Sequence, residues 1–286
     1  MGETARMQMT LGAAAQRLAD EGLAAPRTGL SAAERALALT GADCDSRVAC
    51  PGHLFVCKGS QFKDAYLTKA FAAGACAYLC DESHAEGLAA AAPGVPALVA
   101  PNDQLRRAMA VASTEAWGHP DRALTVVGLT GTKGKSTTAY LLRTILAEHV
   151  AASGDGAGLP AQGVGLIGSI ETIDGVESGE SVNTTPEAPD LWRHLANMRD
   201  SGLRYAVMEV SSQALKYNRV DCLELDVAAF TNIGEDHISP LEHPTFEDYF
   251  SSKLRIFRQA RRAVVNRDAD HAERIDPVVV AGMAHY

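Results

Sequence analysis

The chain has 286 residues, 47% of them hydrophobic, so one large or two ordinary domains can each bury a core. A formal net charge of −9 excludes a general nucleic-acid surface, which needs a basic field. It does not exclude a nucleotide, because a phosphate site needs only a few local cations and amides.

The longest apolar stretch, near GLAAAAPGVPALVA, is short and broken by proline, so no membrane span is expected. MGETARMQMTLG lacks a signal-peptide pattern, which makes a reducing cytoplasm the expected setting. The six cysteines, Cys44, Cys50, Cys57, Cys76, Cys80 and Cys222, lack paired CxxC spacing. They are expected to be reduced, mostly buried thiols rather than zinc ligands.

Residues 10–22 predict a short helix opened by Thr10, and 23–35 read as an alanine-rich loop. A turn at Pro51-Gly52 leads into a strand over 54–57. DAYLTKAFAAGA reads as a helix stopped at Gly74, and CAYLC and ALVA as strands. Asn102 or Asp103 is the expected cap of a helix running to about Trp117. The polar turn WGHPDRA marks a boundary, giving a first domain over 1–120 and a second over 121–286.

Beyond the boundary, the strands LTVVGL, GVGLIGSI, YAVMEV, VAAFTNI and AVVN alternate with helices. The helices cover 135–149, EAPDLWRHLANMRDSG and 245–260. That alternation predicts a mostly parallel sheet covered on both faces. The expected fold class is α/β: a small N-terminal α/β domain, then a mostly parallel α/β domain with a P-loop. AVVNRDADHAERIDPVVVAGMAHY begins a further unit, and the chain is expected to end inside its second domain.

The stretch TGTKGKST at 130–137 lies between an apolar strand and a helix, the context that a phosphate-binding loop requires. Gly131 and Gly134 permit unusual dihedrals and close approach. The amides of Gly131, Thr132, Lys133, Gly134, Lys135 and Ser136 are expected to converge on phosphate oxygens at a helix N-terminus. Lys135 would reach the β- and γ-phosphates, and Ser136 or Thr137 would offer a hydroxyl to Mg²⁺. The strict GxxxxGK[ST] pattern is missed by one place, since Leu129 stands where its first glycine belongs. A structural turn is the plain alternative.

Downstream, Glu209 ends the strand YAVMEV at the edge where open α/β sheets bind ligands. It is a candidate for metal or metal-bound water, or else a salt-bridge partner. Ser211 and Ser212 follow it in a loop. FTNIGEDHISP delivers Asn232, Asp236 and His237 to the same edge, with His237 a weaker magnesium candidate because that ion prefers oxygen. Lys253 lies on an amphipathic helix between Phe250 and Leu254. It is either solvated or turned into the crevice, where it would hold a phosphate or carry a carbamate.

These motifs, with DSRVACPGHLFVCKG, NTTPEAPDL, MEVSSQAL and DHISPLEHPTFEDYF, resemble those of the Mur ligases of peptidoglycan synthesis. The likeness spans residues 45–270 and is strongest to the members that add the third amino acid. TTPE and EVSS separate them from other Mur ligases and from folylpolyglutamate synthetase, and DHISPLEHPTFEDYF looks most like the lysine-adding versions.

The resemblance implies an ATP-dependent, amide-forming ligase with three domains. The first holds the uridine end of the substrate, the second binds ATP, and the third, for the amino acid, is not seen in this chain. It also implies Lys135 and Lys253 as catalytic, with Lys253 carbamylated. Lys135, Ser136 and the rest of the loop with Asn232 would bind ATP, and Ser136, Glu209, His237 and Lys253 would serve Mg²⁺. Ser46, Thr184, Thr185, Ser211, Tyr217 and Arg219 would contact the UDP-MurNAc-peptide.

The implied reaction joins L-lysine or meso-diaminopimelate to UDP-MurNAc-L-Ala-D-Glu through an acyl-phosphate. Three other readings stand beside it: an ATP-binding fragment or split-ligase subunit without ligase activity of its own, a nucleotide switch, and a redox protein using Cys76 and Cys80. The last is weak, because no helix start lies there to lower a thiol pKa.

Overall fold

The computed structural model describes residues 9–25, 29–59, 62–154, 158–236, 238–240 and 242–283. Two compact units emerge. One comprises residues through His119 together with Ala188–Arg193, and the other comprises Pro120–Glu187 and the residues from His194 onward.

The first unit runs α1 (Leu11–Asp20), α2 (Ala32–Arg35), β1 (Gly41–Asp43), β2 (His53–Val56), α3 (Asp64–Ala72), β3 (Ala77–Asp81), α4 (Glu82–Ala91), β4 (Ala97–Ala100) and α5 (Leu105–Trp117). Its four strands pair in parallel in the order β1-β2-β3-β4. Thr10 caps α1 as expected, accepting from the Ala13 amide at 3.1 Å. Phe55, Leu67, Tyr78, Leu88 and Val99 build one core cluster.

Three local expectations are corrected. The supposed loop over 23–35 contains α2, opened by a capping box between Ser31 and Glu34. Helix α5 begins without a side-chain cap, because Asn102 Oδ1 accepts the Ser83 amide at the start of α4 instead. Helix α4 is itself unforeseen; Asp81 caps it by accepting the His84 amide. The cysteines are free, but only Cys57 and Cys80 are buried; Cys50 is exposed and the other three are half-buried.

The second unit runs β5 (Thr125–Thr130), α6 (Lys135–Ala152), β6 (Val164–Ile167), β7 (Glu171–Ile173), β8 (Ser178–Glu180), α7 (Ala188–Asp200, shared with the first unit), β9 (Tyr205–Glu209), α8 (Ser212–Lys216), β10 (Val227–Phe230), α9 (Phe246–Leu254), β11 (Ala263–Val265) and α10 (Ala272–Met283). The sheet order is β11-β10-β5-β9-β6-β7-β8. Its first five strands are parallel. The β7–β8 hairpin adds an antiparallel edge, so the sheet is mixed rather than wholly parallel.

Strand β5 lies between β10 and β9, so the turns that follow these three strands open at one edge of the sheet. Val127, Leu129, Ala139, Val150, Leu166 and Val207 pack together beneath that edge. The helix expected over 245–260 is α9 followed by a tighter 3₁₀ segment, Arg255–Gln259. Among the described residues, no helix is long and apolar enough to cross a membrane.

Candidate active site

The turn between β5 and α6 is fixed by its glycines. At Gly131, φ is +148° and a Cβ would stand 2.0 Å from Thr231 Oγ1, so no side chain fits. Gly134 is the left-handed N-cap of α6, with φ +79°. The amides of Thr132 and Lys133 donate to the Asn232 backbone carbonyl (3.0 Å) and to Asn232 Oδ1 (2.9 Å). Asn232 Nδ2 returns a bond to the Lys133 carbonyl at 2.9 Å.

Thus Asn232, expected to contact nucleotide, spends both ends of its amide on the turn. The amide cradle is also narrower than the expected 131–136, because Thr132 and Lys133 are already bonded. Thr132 Oγ1 accepts the Gly234 amide (3.0 Å) and meets Tyr249 Oη at 3.1 Å. Ser136 and Thr137 stand on the first turn of α6, half-exposed and exposed respectively.

Two lysines converge on this turn. Lys135 Nζ donates to the carbonyls of Gly131 (3.0 Å) and Thr132 (3.2 Å). Lys253 Nζ, from α9, donates to the same Gly131 carbonyl at 2.8 Å. Lys253 is only 2% exposed, which removes the solvated alternative for it. Its ammonium also lies 4.6 Å from the Tyr249 ring centroid.

Among the described residues, neither ammonium has a carboxylate within ion-pair distance. Burial, then the neighbouring Lys135 charge, pushes Lys253 down to about 7, while Asp236 pulls the other way. Burial likewise lowers Lys135, against the pull of Glu209 and Asp236. One buried and one half-buried lysine thus share a single carbonyl.

Glu209 ends β9 beside this turn and is 1% exposed. Its Oε1 accepts the Ser169 amide at 2.9 Å, and its Oε2 accepts Ser169 Oγ at 3.1 Å. Gly168 makes room for it, since a Cβ there would meet Glu209 Oε1 at 2.7 Å. Each carboxylate oxygen keeps a further lone pair, a hard oxygen donor of the kind Mg²⁺ takes. His237, the other metal candidate, lies outside the described residues.

Thr185 is fully buried. Its Oγ1 donates to the Glu209 carbonyl (2.9 Å) and accepts the Ser211 amide (3.0 Å), so it pins the β9 corner. Thr184 Oγ1 lies 3.0 Å from the same Ser169 Oγ and, with that hydroxyl's proton given to Glu209, donates to it. Ser211 caps α8 through the Ala214 amide at 3.1 Å, and Tyr217 is the C-cap of that helix. Helix α8 itself replaces the loop expected after Glu209.

Arg219 Nη1 donates to the Thr185 carbonyl (3.1 Å) and Nη2 pairs with Glu187 (3.0 Å), while its buried Nε has no acceptor. Lys135, Lys253, Thr184, Ser211 and Arg219 line one cavity of about 230 Å³. Sequence reasoning missed Ser169, Glu187 and His243 here. Only the GS step ending the strand GVGLIGSI hints at the first.

In the first unit, Ser46 lines a separate cavity of about 580 Å³ with Arg47, Lys58, Phe62, Tyr66 and Lys69. The rings of Phe62 and Tyr66 meet edge to face at 5.9 Å. Asp45, which pairs with Arg47, lines the same cavity.

Asp174, Glu177 and His194 also share metal-ligand spacing. Asp174, however, is already filled. Its Oδ1 accepts the Val176 and Glu177 amides, and its Oδ2 accepts His194 Nδ1 (2.7 Å) and Asn197 Nδ2 (2.8 Å). Despite the opposing effect of burial, these bonds hold its pKa down at about 2. The cluster ties the β7–β8 turn to α7.

The mixed α/β sheet thus carries a glycine turn, one half-buried and one buried lysine, and a buried carboxylate at one edge. The Mur ligase middle domain matches residues 129–279. This chain belongs to the Mur ligase family.

It is 39% identical over 255 residues to the UDP-N-acetylmuramoyl-L-alanyl-D-glutamate--2,6-diaminopimelate ligase of Streptomyces coelicolor, covering 88% of this chain and 47% of that protein. It is 38% identical over 229 residues to the L-lysine ligase acting on the same named substrate in Streptococcus suis, covering 80% and 44%. A solved 2,6-diaminopimelate ligase structure shares the fold, with a TM-score of 0.67 at 22% identity over 96% of this chain and 50% of that one. The chain therefore spans less than half the length of the curated relatives it matches.

Proposed function

We propose that this chain is the nucleotide- and UDP-sugar-binding part of an ATP-dependent ligase that extends UDP-MurNAc-L-Ala-D-Glu by its third amino acid. In this reading residues 1–120 hold the uridine end and 121–286 form a P-loop domain for Mg·ATP. The carrying observation is the shared Gly131 carbonyl: one buried and one half-buried ammonium group lie there with no carboxylate among the described residues within ion-pair distance, and a polyphosphate would supply the missing charge. Because the chain spans 44–47% of the relatives quoted, binding without independent ligation is the reading adopted for these 286 residues.

The chemistry would proceed in two displacements. The terminal substrate carboxylate attacks the γ-phosphorus, forming an acyl-phosphate and releasing ADP. The incoming amine then attacks the acyl carbon, and phosphate leaves with the C–O bond electrons. Lys135 draws two anions together and offsets the charge growing on the transferred group. Ser136 and Glu209 would hold Mg²⁺, which neutralises phosphate charge when bound.

Lys253, uncharged for part of the time near pH 7, is suited to add to carbon dioxide: its nitrogen forms the new N–C bond, a proton leaves, and a cation becomes a carbamate. The added amino acid is L-lysine or meso-diaminopimelate. Relatives at 38% and 39% identity carry the two names, so identity does not choose between them.

Calorimetry of the 286-residue chain with Mg·ATP, and separately with UDP-MurNAc-L-Ala-D-Glu, tests the proposal. It is run beside a ligation assay containing either amino acid. Binding of both ligands without tripeptide product is expected. Product formation would establish an independent ligase, and flat titrations of the folded chain would remove the nucleotide reading.

A further inference from the structure

One buried network in the second unit has no part in the reaction just described. His243 is wholly buried, yet both its ring nitrogens are engaged. Nδ1 lies 2.7 Å from Asp248 Oδ2, and Nε2 lies 2.9 Å from Ser212 Oγ. Asp248 accepts only, so Nδ1 carries the proton, and in the neutral ring Nε2 then accepts from the Ser212 hydroxyl.

The partners lie on different elements. Ser212 opens α8, one residue after Ser211 and three after Glu209. Asp248 is on α9, five residues before Lys253. The ring also meets Tyr249 edge to face at 5.2 Å, and Tyr249 Oη reaches Thr132 in the glycine turn. Lys216 Nζ, from α8, contacts the same Asp248 oxygen at 2.6 Å, and Gln213 Nε2 donates to Glu242 Oε1 at 2.9 Å. Those two bonds are part-buried, whereas the bond between His243 and Ser212 is fully buried.

We infer that His243 is a positioning residue: it registers the β9–α8 corner, with Ser211 and Ser212, against the helix that carries Lys253. This rests on the proposed function, because it assigns the corner to the UDP-sugar peptide and Lys253 to the nucleotide side. The hydrogen bond between His243 and Ser212 is the joint. Breaking it from either end lets the corner move while the glycine turn stays held by Asn232.

The test is calorimetry on the full 286-residue chain and on His243→Asn, Ser212→Ala and the double variant. Thermal unfolding and a nitrogen-detected histidine NMR spectrum accompany it. Each single variant is expected to weaken UDP-MurNAc-L-Ala-D-Glu binding about 5-fold, the worth of one buried hydrogen bond. The double variant should bind no worse than either single one, and Mg·ATP affinity should stay within about 2-fold of wild type. The spectrum should show the Nδ1-protonated ring.

A merely structural residue would instead lower both affinities together with the melting temperature, and that outcome overturns the inference. So do additive losses in the double variant, wild-type-like peptide binding by a folded single variant, or an Nε2-protonated ring. If His243→Asn fails to fold, Ser212→Ala and Asp248→Asn carry the same comparison. A wild-type chain that binds no UDP-sugar peptide sinks the proposed function and this inference with it. Wild-type binding with undisturbed variants sinks the inference alone.

Discussion

Asp174 and Lys253 are both ionisable, both buried, and both in the second unit, yet their surroundings differ in kind. Asp174 has four donors on its two oxygens, drawn from its own turn and from α7. Lys253 has a carbonyl that it must share with a second lysine. Folding satisfies the first group completely and leaves the second beside another lysine, with no carboxylate among the described residues within ion-pair distance. A filled polar cluster holds elements together; an uncompensated one marks where something else binds. The metal-like spacing of Asp174, Glu177 and His194 is therefore a weaker sign of function than two lysines on one carbonyl.

The contrast breaks most sharply at Lys135. Lys135→Ala removes a charged hydrogen-bond donor from the proposed phosphate site. It should weaken Mg·ATP binding by about 10- to 100-fold in calorimetry, the range for a bond to a charged group. Its melting temperature should hold or rise, because a half-buried positive charge held only by two carbonyls is gone. Unchanged affinity would mean the excess charge at Gly131 is not there for phosphate.

Lys253→Met probes the same excess through stability. Burial lowers the folded-state pKa from the ordinary 10.5 to about 7. Between those values the unfolded chain binds the proton and the folded one does not, so wild-type stability rises with pH across that window. In carbon-dioxide-depleted buffer, Lys253→Met should be more stable than wild type by up to about 5 kcal/mol at pH 6, with the gap closing toward pH 10. Denaturant midpoints at several pH values read this directly, and a gap independent of pH would place Lys253 in a compensated environment.

Asp174 should show the opposite sign. Its pKa falls on folding from 3.8 to about 2, so its contribution is present above about pH 4 and disappears as pH drops through about 2. Asp174→Asn should lose about 2 kcal/mol at neutral pH and flatten acid unfolding in that window. Added divalent metal should not change either result. Metal-dependent stabilisation of the wild type would reverse the comparison.

What the sequence made legible follows the same division. Strand-loop-helix order placed Lys135 and Glu209 on one edge, because apolar runs and a glycine turn are local signals. The parallel centre was readable, but the β7–β8 hairpin was not, since three-residue strands such as Ser178–Glu180 carry almost no pattern. Asn232 and Thr185 were assigned to ligands, yet both spend their polar atoms on backbone. Sequence shows that a polar side chain reaches an edge; it does not show what already occupies it. His243 was missed for the complementary reason, as its partners Ser212 and Asp248 come together only when α8 and α9 pack.

The smallest expected effect lies in the first unit, where Thr10 offers a satisfied polar contact far simpler than that of Asp174. Its Oγ1 accepts one amide, that of Ala13, at the start of α1. Thr10→Ala leaves that amide to water, which costs about 1 kcal/mol in a typical N-cap. If α1 opens locally, amides in its first turn should exchange with deuterium about 5-fold faster. Mg·ATP affinity should not move, because a satisfied cap reports on its helix and on nothing that binds elsewhere. An altered nucleotide affinity in Thr10→Ala would show that satisfied contacts also carry function, and the distinction between Asp174 and Lys253 would lose its diagnostic value.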